Sequence, residues 1–225
     1  MLIHGKQVEL LPCNEATAPL VLLNTFGSEG RAVYEQCRAL SAPAFHMAAV
    51  SGLTWDDDLS PWALPPIAEN GAPYAGNAPA YLKLLTGEIL PYALEVIGGK
   101  PQYIAVAGYS LGGLFAVYSL YNTDVFSAAV SASGSFWFPD FLAYAAHRPM
   151  IEKADCIYLS LGDREKYTAN PYLKTVQDNT QTLYEQYRAQ GLKVTFELNK
   201  GNHFKQSTLR LAKGIKWMLE NKKNV

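Results

Sequence analysis

A single α/β domain, built on a mainly parallel sheet with helices on both faces, is the fold the sequence predicts. Three observations carry that expectation. Short apolar runs bounded by turn residues alternate with stretches of helical spacing along most of the chain. Runs such as PLVLLNT and CIYLSLG are apolar on both faces, as strands buried on both faces must be. At 225 residues the chain is near the upper size for one hydrophobic core, and no repeat or low-complexity tract divides it.

The elements follow in order. PLVLLNT (19–25) reads as a buried strand. After GSEG comes RAVYEQCRAL, whose Val33, Cys37 and Leu40 share one helical stripe. AFHMAAVS (44–51) is the next strand. Residues 52–76 are rich in Pro, Trp, Asp and Gly and read as one long loop. Its aromatics argue for a functional segment rather than a disordered one. AYLKLLTGEILPYALEVI (80–97) has a helical stripe, with Pro91 starting a second segment. YIAVAG (103–108) is a strand and LGGLFAVYSLY a helix; FSAAVSAS (126–133) is a strand, and SFWFPDFLAYAAHRP a short aromatic excursion. CIYLSLG (156–162) is a strand apolar on both faces. PYLKTVQDNTQTLYEQYRAQG (171–191) is a helix with Val176, Leu183, Tyr184 and Tyr187 on one stripe and Gly191 as its stop. VTFELN (194–199) is the last strand, and QSTLRLAKGIKWMLENKK an amphipathic helix.

Composition narrows the function. Hydrophobic residues make up 49% and charged residues 17%, which suits a globular enzyme or binding domain. A net charge of −1 argues against a nucleic-acid or anionic-membrane surface, which needs a basic face. No run of eighteen apolar residues offers a membrane span. Cys13, Cys37 and Cys156 fit neither a disulfide framework nor a zinc site. MLIHGKQVEL lacks the pattern of a secretory signal, so the expected location is cytoplasmic.

Chemistry concentrates at three motifs. Gly108-Tyr109-Ser110-Leu111-Gly112 matches G-x-S-x-G in the context it requires, a strand turning into a helix. Such a turn is sharp enough to strain its central residue, and side chains at the flanking glycines would meet backbone. Ser110 then projects its hydroxyl above the sheet. The backbone N–H of Leu111, at the helix start, faces the space where an oxyanion would form. No lysine follows the glycines, which excludes a phosphate loop.

A serine hydroxyl needs a base. His203, in KGNHF after the last strand, is placed where such loops line a crevice. His46 falls inside an apolar strand and reads as a core residue. The acid belongs between Ser110 and His203, on a loop after a strand, and Gly162-Asp163-Arg164-Glu165 meets that demand. A glycine followed three residues later by the acid favours Glu165; Asp163 is the alternative, or a residue that fixes the loop. Asp155, Asp140 and a dyad without an acid stay open.

In that order and at those intervals, GYSLGG, GDRE and GNHF resemble the Putative esterase family of the α/β-hydrolase fold. That branch includes feruloyl esterases, S-formylglutathione hydrolases, trilactone siderophore esterases and mycolyl transferases. The resemblance runs from VLLNTF to the last helix. It implies a serine hydrolase that cleaves a carboxylic ester through an acyl-serine, with Ser110 as nucleophile, His203 as base and an acid at Glu165 or Asp163. It also implies a second oxyanion donor on the loop after an early strand. Here that loop is Asn24-Thr25-Phe26-Gly27, and position selects the N–H of Phe26, then Gly27. The HGGG-type stretch of lipases is absent, and the aromatic excursion leaves room for a minimal cap only. No metal or organic cofactor is needed. The expected partner is a small-molecule ester; self-association stays open.

Trp55, Trp62 and Trp137 are candidate substrate contacts, able to stack on aryl or sugar groups or to pin their loops to the core. Phe136 and Phe138 could complete an apolar pocket with Trp137. Asp56, Asp57 and Asp58 lack the spacing of a calcium loop. Two rivals keep the fold: an acyltransferase with an alcohol in place of water, and a non-catalytic binding protein. A serine peptidase needs a gating domain for which no segment is long enough.

Overall fold

The computed structural model describes residues 1–222; Lys223, at the end of the tail helix read from the sequence, lies outside them. Its elements are strands β1 (Leu2–Ile3), β2 (Lys6–Leu11) and β3 (Leu20–Asn24), helix α1 (Gly30–Ala39), strand β4 (His46–Ser51), helix α2 (Trp55–Asp58), and strands β5 (Ala63–Leu64) and β6 (Tyr74–Ala75). Helices α3 (Ala78–Leu84) and α4 (Leu90–Ile97) precede β7 (Ile104–Tyr109), α5 (Leu111–Ser119), β8 (Ala128–Ala132) and α6 (Phe141–His147). The chain ends with β9 (Cys156–Gly162), α7 (Val176–Ala189), β10 (Lys193–Asn199) and α8 (Ser207–Asn221).

Eight strands form one sheet in the order β1-β2-β4-β3-β7-β8-β9-β10. From β4 to β10 every pairing is parallel; β2 and β1 run antiparallel at one edge. The inner parallel strands β3, β8 and β9 are buried on both faces, which is why they read as apolar runs, whereas β10 at the sheet edge is half-exposed. Alternate residues serve opposite cores. Leu20, Leu22 and Val106 join α3 to α7 on one face. Val21, Leu23 and Ala107 meet α1 and α8 on the other.

Three local features depart from the sequence reading, and one that agrees gains a detail. Strands β1 and β2 are a hairpin turned by His4 and Gly5, both at positive φ. Half-exposed and two-faced, they carry no apolar run to announce them. The segment 52–76 is not one open loop: it holds α2 and the β5–β6 hairpin. Asp57 Oδ1 accepts the Ala75 N–H at 3.0 Å, closing this segment on itself, and Asp58 pairs with Lys6, tying it to β2. Pro91 does begin a second helical segment. It lies in the first turn of α4, and the missing proline N–H is accommodated by a π-helical turn over Leu85–Ile89. The aromatic excursion contains α6.

His46 is a core residue, as read from the sequence. Its Nδ1 accepts the Cys13 N–H at 3.1 Å, so its Nε2 carries the proton and donates to the Glu15 carbonyl at 2.9 Å. Gly191 ends α7 at φ +70°. Among the described residues no helix is long and apolar enough to cross a membrane.

Candidate active site

Because β3, β7, β8, β9 and β10 are parallel, the loops that leave their C-terminal ends gather along one sheet edge. Register makes neighbours of them: Asn24 lies opposite Gly108, Tyr109 opposite Ala132, and Gly162 opposite Asn199.

The turn between β7 and α5 holds Ser110 at φ 56° and ψ −122°. A non-glycine residue there costs about 1–3 kcal/mol, so the surroundings must impose it. They do so through the backbone. Ser110 N–H donates to Ala132 O at 3.1 Å, and Ser110 O accepts the N–H groups of Gly113, Leu114 and Ser135 at 3.0–3.1 Å. Gly108 is required because a Cβ there would lie 2.3 Å from the Gly112 carbonyl carbon. Gly112 is less confined; a Cβ there meets Trp55 at 3.3 Å.

Ser110 Oγ lies 3.2 Å from His203 Nε2, and His203 Nδ1 lies 2.7 Å from Glu165 Oε2. The carboxylate accepts from Nδ1–H, which leaves the Nε2 lone pair facing the serine hydroxyl. Ser135 Oγ is also 3.3 Å from Ser110 Oγ. The other oxygen of Glu165 accepts the Gly162 N–H at 2.5 Å, the Ser133 hydroxyl at 2.7 Å and Arg210 Nη1 at 3.0 Å. Burial would raise this carboxyl, but hydrogen bonding and charge from His203, with the Gly162 N–H and the Ser133 hydroxyl, hold it below its ordinary 4.5. It is therefore ionised at neutral pH.

Asp163 does not reach the imidazole. Its Oδ1 accepts the Gly201 N–H at 2.8 Å, tying the β9 loop to the His203 loop. Gly201, at φ +120°, gives that loop a conformation closed to other residues. The Tyr109 hydroxyl donates to His203 O at 2.5 Å. Burial pushes this phenol above its ordinary value and keeps it a donor.

Arg210 is the largest fully buried side chain, 1% exposed. Beyond Glu165 it donates from Nη1 to Ser133 Oγ at 3.0 Å and Tyr109 Oη at 3.2 Å, and from Nη2 to Asn202 O at 2.9 Å. In the sequence Arg210 is one basic residue among several on the tail helix. The signal for burial was its position beside Leu211 and one turn before Gly214, on the face of α8 that approaches Tyr158 and Val130.

The oxyanion candidates divide. Leu111 N–H, in the first turn of α5, finds no acceptor among the described residues. The N–H groups of Phe26 and Gly27 are both taken by Glu29, at 2.8 Å from Oε1 and Oε2 respectively.

Two clefts meet at Ser110. One, of about 480 Å³, is lined by Phe26, Glu29, Trp55, His203 and Phe204. The other, of about 290 Å³, is lined by Ile67, Tyr74, Trp137, Leu173 and Val176. Trp55 meets the Phe26 ring edge-on at 5.3 Å. Trp62 lines neither cleft. It packs on Phe138 at 5.8 Å and Tyr144 at 5.5 Å, pinning its loop to the aromatic core. Phe136 and Phe138 are likewise buried in that core, so of the FWF triplet only Trp137 reaches a cleft.

A parallel sheet with a serine on a strained strand–helix turn, backed by imidazole and carboxylate, defines an α/β-hydrolase fold. Residues 41–207 match the family model described as Putative esterase, and the chain belongs to that family. Ester hydrolysis is thereby its reaction class. The chain is similar to the siderophore hydrolase EstA from Aspergillus nidulans, with 20% identity and a TM-score of 0.70 over 96% of this chain and 90% of that one. It is similar to an IroE-like serine hydrolase from Shewanella oneidensis, with 16% identity and a TM-score of 0.74 over 96% and 80%. It is also similar to the enterobactin esterase FES from Shigella flexneri, solved in the presence of 2,3-dihydroxy-N-benzoyl-glycine, with 19% identity and a TM-score of 0.66 over 96% of this chain and 55% of that one. Among curated proteins, none matches.

Proposed function

We propose that the chain hydrolyses carboxylic esters through an acyl-serine intermediate on Ser110. The observation that carries this reading is the hydrogen-bonded series Ser110–His203–Glu165, at 3.2 and 2.7 Å, with Ser110 held at a strained backbone turn. His203 Nε2 takes the hydroxyl proton as Oγ attacks the ester carbon, and returns it to the leaving alkoxide. Glu165 holds the imidazole in the right tautomer and stabilises its cation. The Leu111 N–H, with the helix N-terminus behind it, stabilises the oxyanion; the Phe26 N–H joins it once released from Glu29. Water, activated by the same imidazole, then cleaves the acyl-serine.

The substrate is a neutral ester with an apolar or aryl group on either side of the scissile bond. Aromatic and aliphatic side chains dominate both clefts. About 150 Å³ of apolar cavity is enough to hold a benzene ring, so either cleft admits one. The aryl ligand named with the Shigella flexneri esterase supports the same class.

The test is rapid mixing with p-nitrophenyl acetate. An acyl-serine mechanism gives a burst of nitrophenol equivalent to the enzyme concentration. Ser110→Ala abolishes the burst and lowers kcat by about four to six orders of magnitude. Turnover within tenfold of wild type in Ser110→Ala would refute the proposal.

A further inference from the structure

The GSEG segment carries a carboxylate that the mechanism does not use. Glu29 precedes α1, and its side chain folds back over the loop that leaves β3. One carboxylate oxygen accepts the Phe26 N–H and the other the Gly27 N–H, each at 2.8 Å. The loop itself is braced without it: Thr25 Oγ1 donates to Gly27 O and shares Val50 O, both at 2.9 Å. The same carboxylate is among the side chains that line the larger cleft beside Ser110. Register fixes that proximity, since Asn24 pairs with Gly108 two residues before the serine.

Resting on the proposed function, we infer that Glu29 is a specificity-determining residue that occupies the second oxyanion donor in the free enzyme and must be displaced by the substrate's carbonyl oxygen. The two cannot share the donor. A carbonyl oxygen gains negative charge as Ser110 attacks, and a carboxylate on the same N–H groups opposes that charge. At a separation of about 5 Å the repulsion ranges from a few-fold in water to on the order of a hundredfold at a dielectric of about 20; for a partly exposed pair it is roughly tenfold. An ester that reaches Leu111 N–H alone reacts slowly. One whose binding pushes Glu29 aside gains the second donor. Acyl groups with their own negative charge at this end of the cleft are rejected, because they meet Glu29 whether or not it has moved.

Phenylboronic acid reads this directly. Ser110 Oγ adds to the vacant boron orbital as its O–H bond breaks and the proton passes to His203, and boron acquires the negative charge in a tetrahedral adduct that keeps all three of its original bonds. In Glu29→Ala the two N–H groups are free and the charge is gone. The inhibition constant should fall about tenfold, and kcat/KM for p-nitrophenyl acetate should rise by a similar factor. Glu29→Gln is nearly isosteric and keeps one acceptor. It should move both quantities the same way by about threefold, and it carries the test alone if the alanine variant does not fold. An unchanged or weaker boronate affinity in a folded variant overturns the inference and leaves Glu29 a brace for the loop. Wild-type protein that binds no boronate and turns over no ester would instead remove the serine mechanism, and this inference with it.

Discussion

Replacing Arg210 with methionine should cost the protein both stability and rate. The guanidinium is 1% exposed and donates to Glu165 Oε1, Ser133 Oγ, Tyr109 Oη and Asn202 O. Methionine fills similar volume but donates nothing. The Glu165 carboxylate, with 4% of its side chain exposed, then loses its guanidinium partner and keeps the Gly162 N–H, the Ser133 hydroxyl and His203. Breaking a buried ion pair from one side costs about 3–5 kcal/mol. For a chain of this size each kcal/mol lowers Tm by about 2–4 °C, so a fall of roughly 6–20 °C is expected in calorimetry. Asn202, whose carbonyl Arg210 holds, is next to His203, so kcat should drop about ten- to a hundredfold. The cycle with Glu165→Gln isolates the pair. The double variant should be about 1–3 kcal/mol more stable than additivity predicts, because a neutral amide no longer needs the cation. An unshifted Tm in Arg210→Met, or strict additivity in the cycle, would refute the view that Arg210 supports the carboxylate.

Three further outcomes follow from particular contacts. Glu165 is held below its ordinary 4.5, so its contribution to stability is complete above pH 4.5 and is lost as pH falls through the lower folded value. Acid unfolding monitored by circular dichroism should show that loss in wild type and a flatter profile in Glu165→Gln, whose kcat should also fall by about 10⁴. Gly108→Ala should abolish activity and destabilise the fold by about 1–3 kcal/mol or more, since its Cβ would lie 2.3 Å from the Gly112 carbonyl carbon; an active, stable variant would contradict the packing of the turn. Burial pushes the thiols of Cys37 and Cys156 up to about 12, while Cys13 is partly exposed. At pH 8 a chromogenic thiol reagent should therefore label one cysteine quickly, and all three only after denaturation.

The inner parallel strands were legible because burial on both faces forces apolar runs, and the serine turn was legible because Gly108 answers to a backbone collision. Chain order and the rule that loops at strand C-termini face one crevice pointed to His203 and to the Gly162–Glu165 loop, where spacing favoured Glu165 and left Asp163 as the alternative. What escaped was set by tertiary contact. The β1–β2 hairpin is two-faced and half-exposed, so its pattern resembles a loop. Trp55 and Trp62 are seven residues apart in one segment and look alike in sequence. Only packing decides that Trp55 turns to the cleft and Trp62 to Phe138 and Tyr144. Glu29 reads as an ordinary charge at a helix start, because the fold-back of its carboxylate onto the N–H groups two and three residues earlier depends on the conformation of the loop.

The account as a whole rests on Ser110 being the activated hydroxyl. A fluorophosphonate reagent, with the modified residue located by peptide mass spectrometry, measures that directly. The account predicts one adduct per chain, on Ser110, formed far more slowly when His203 is replaced by alanine. An adduct on any other residue, or equal labelling of Ser110 with and without the imidazole, would contradict it.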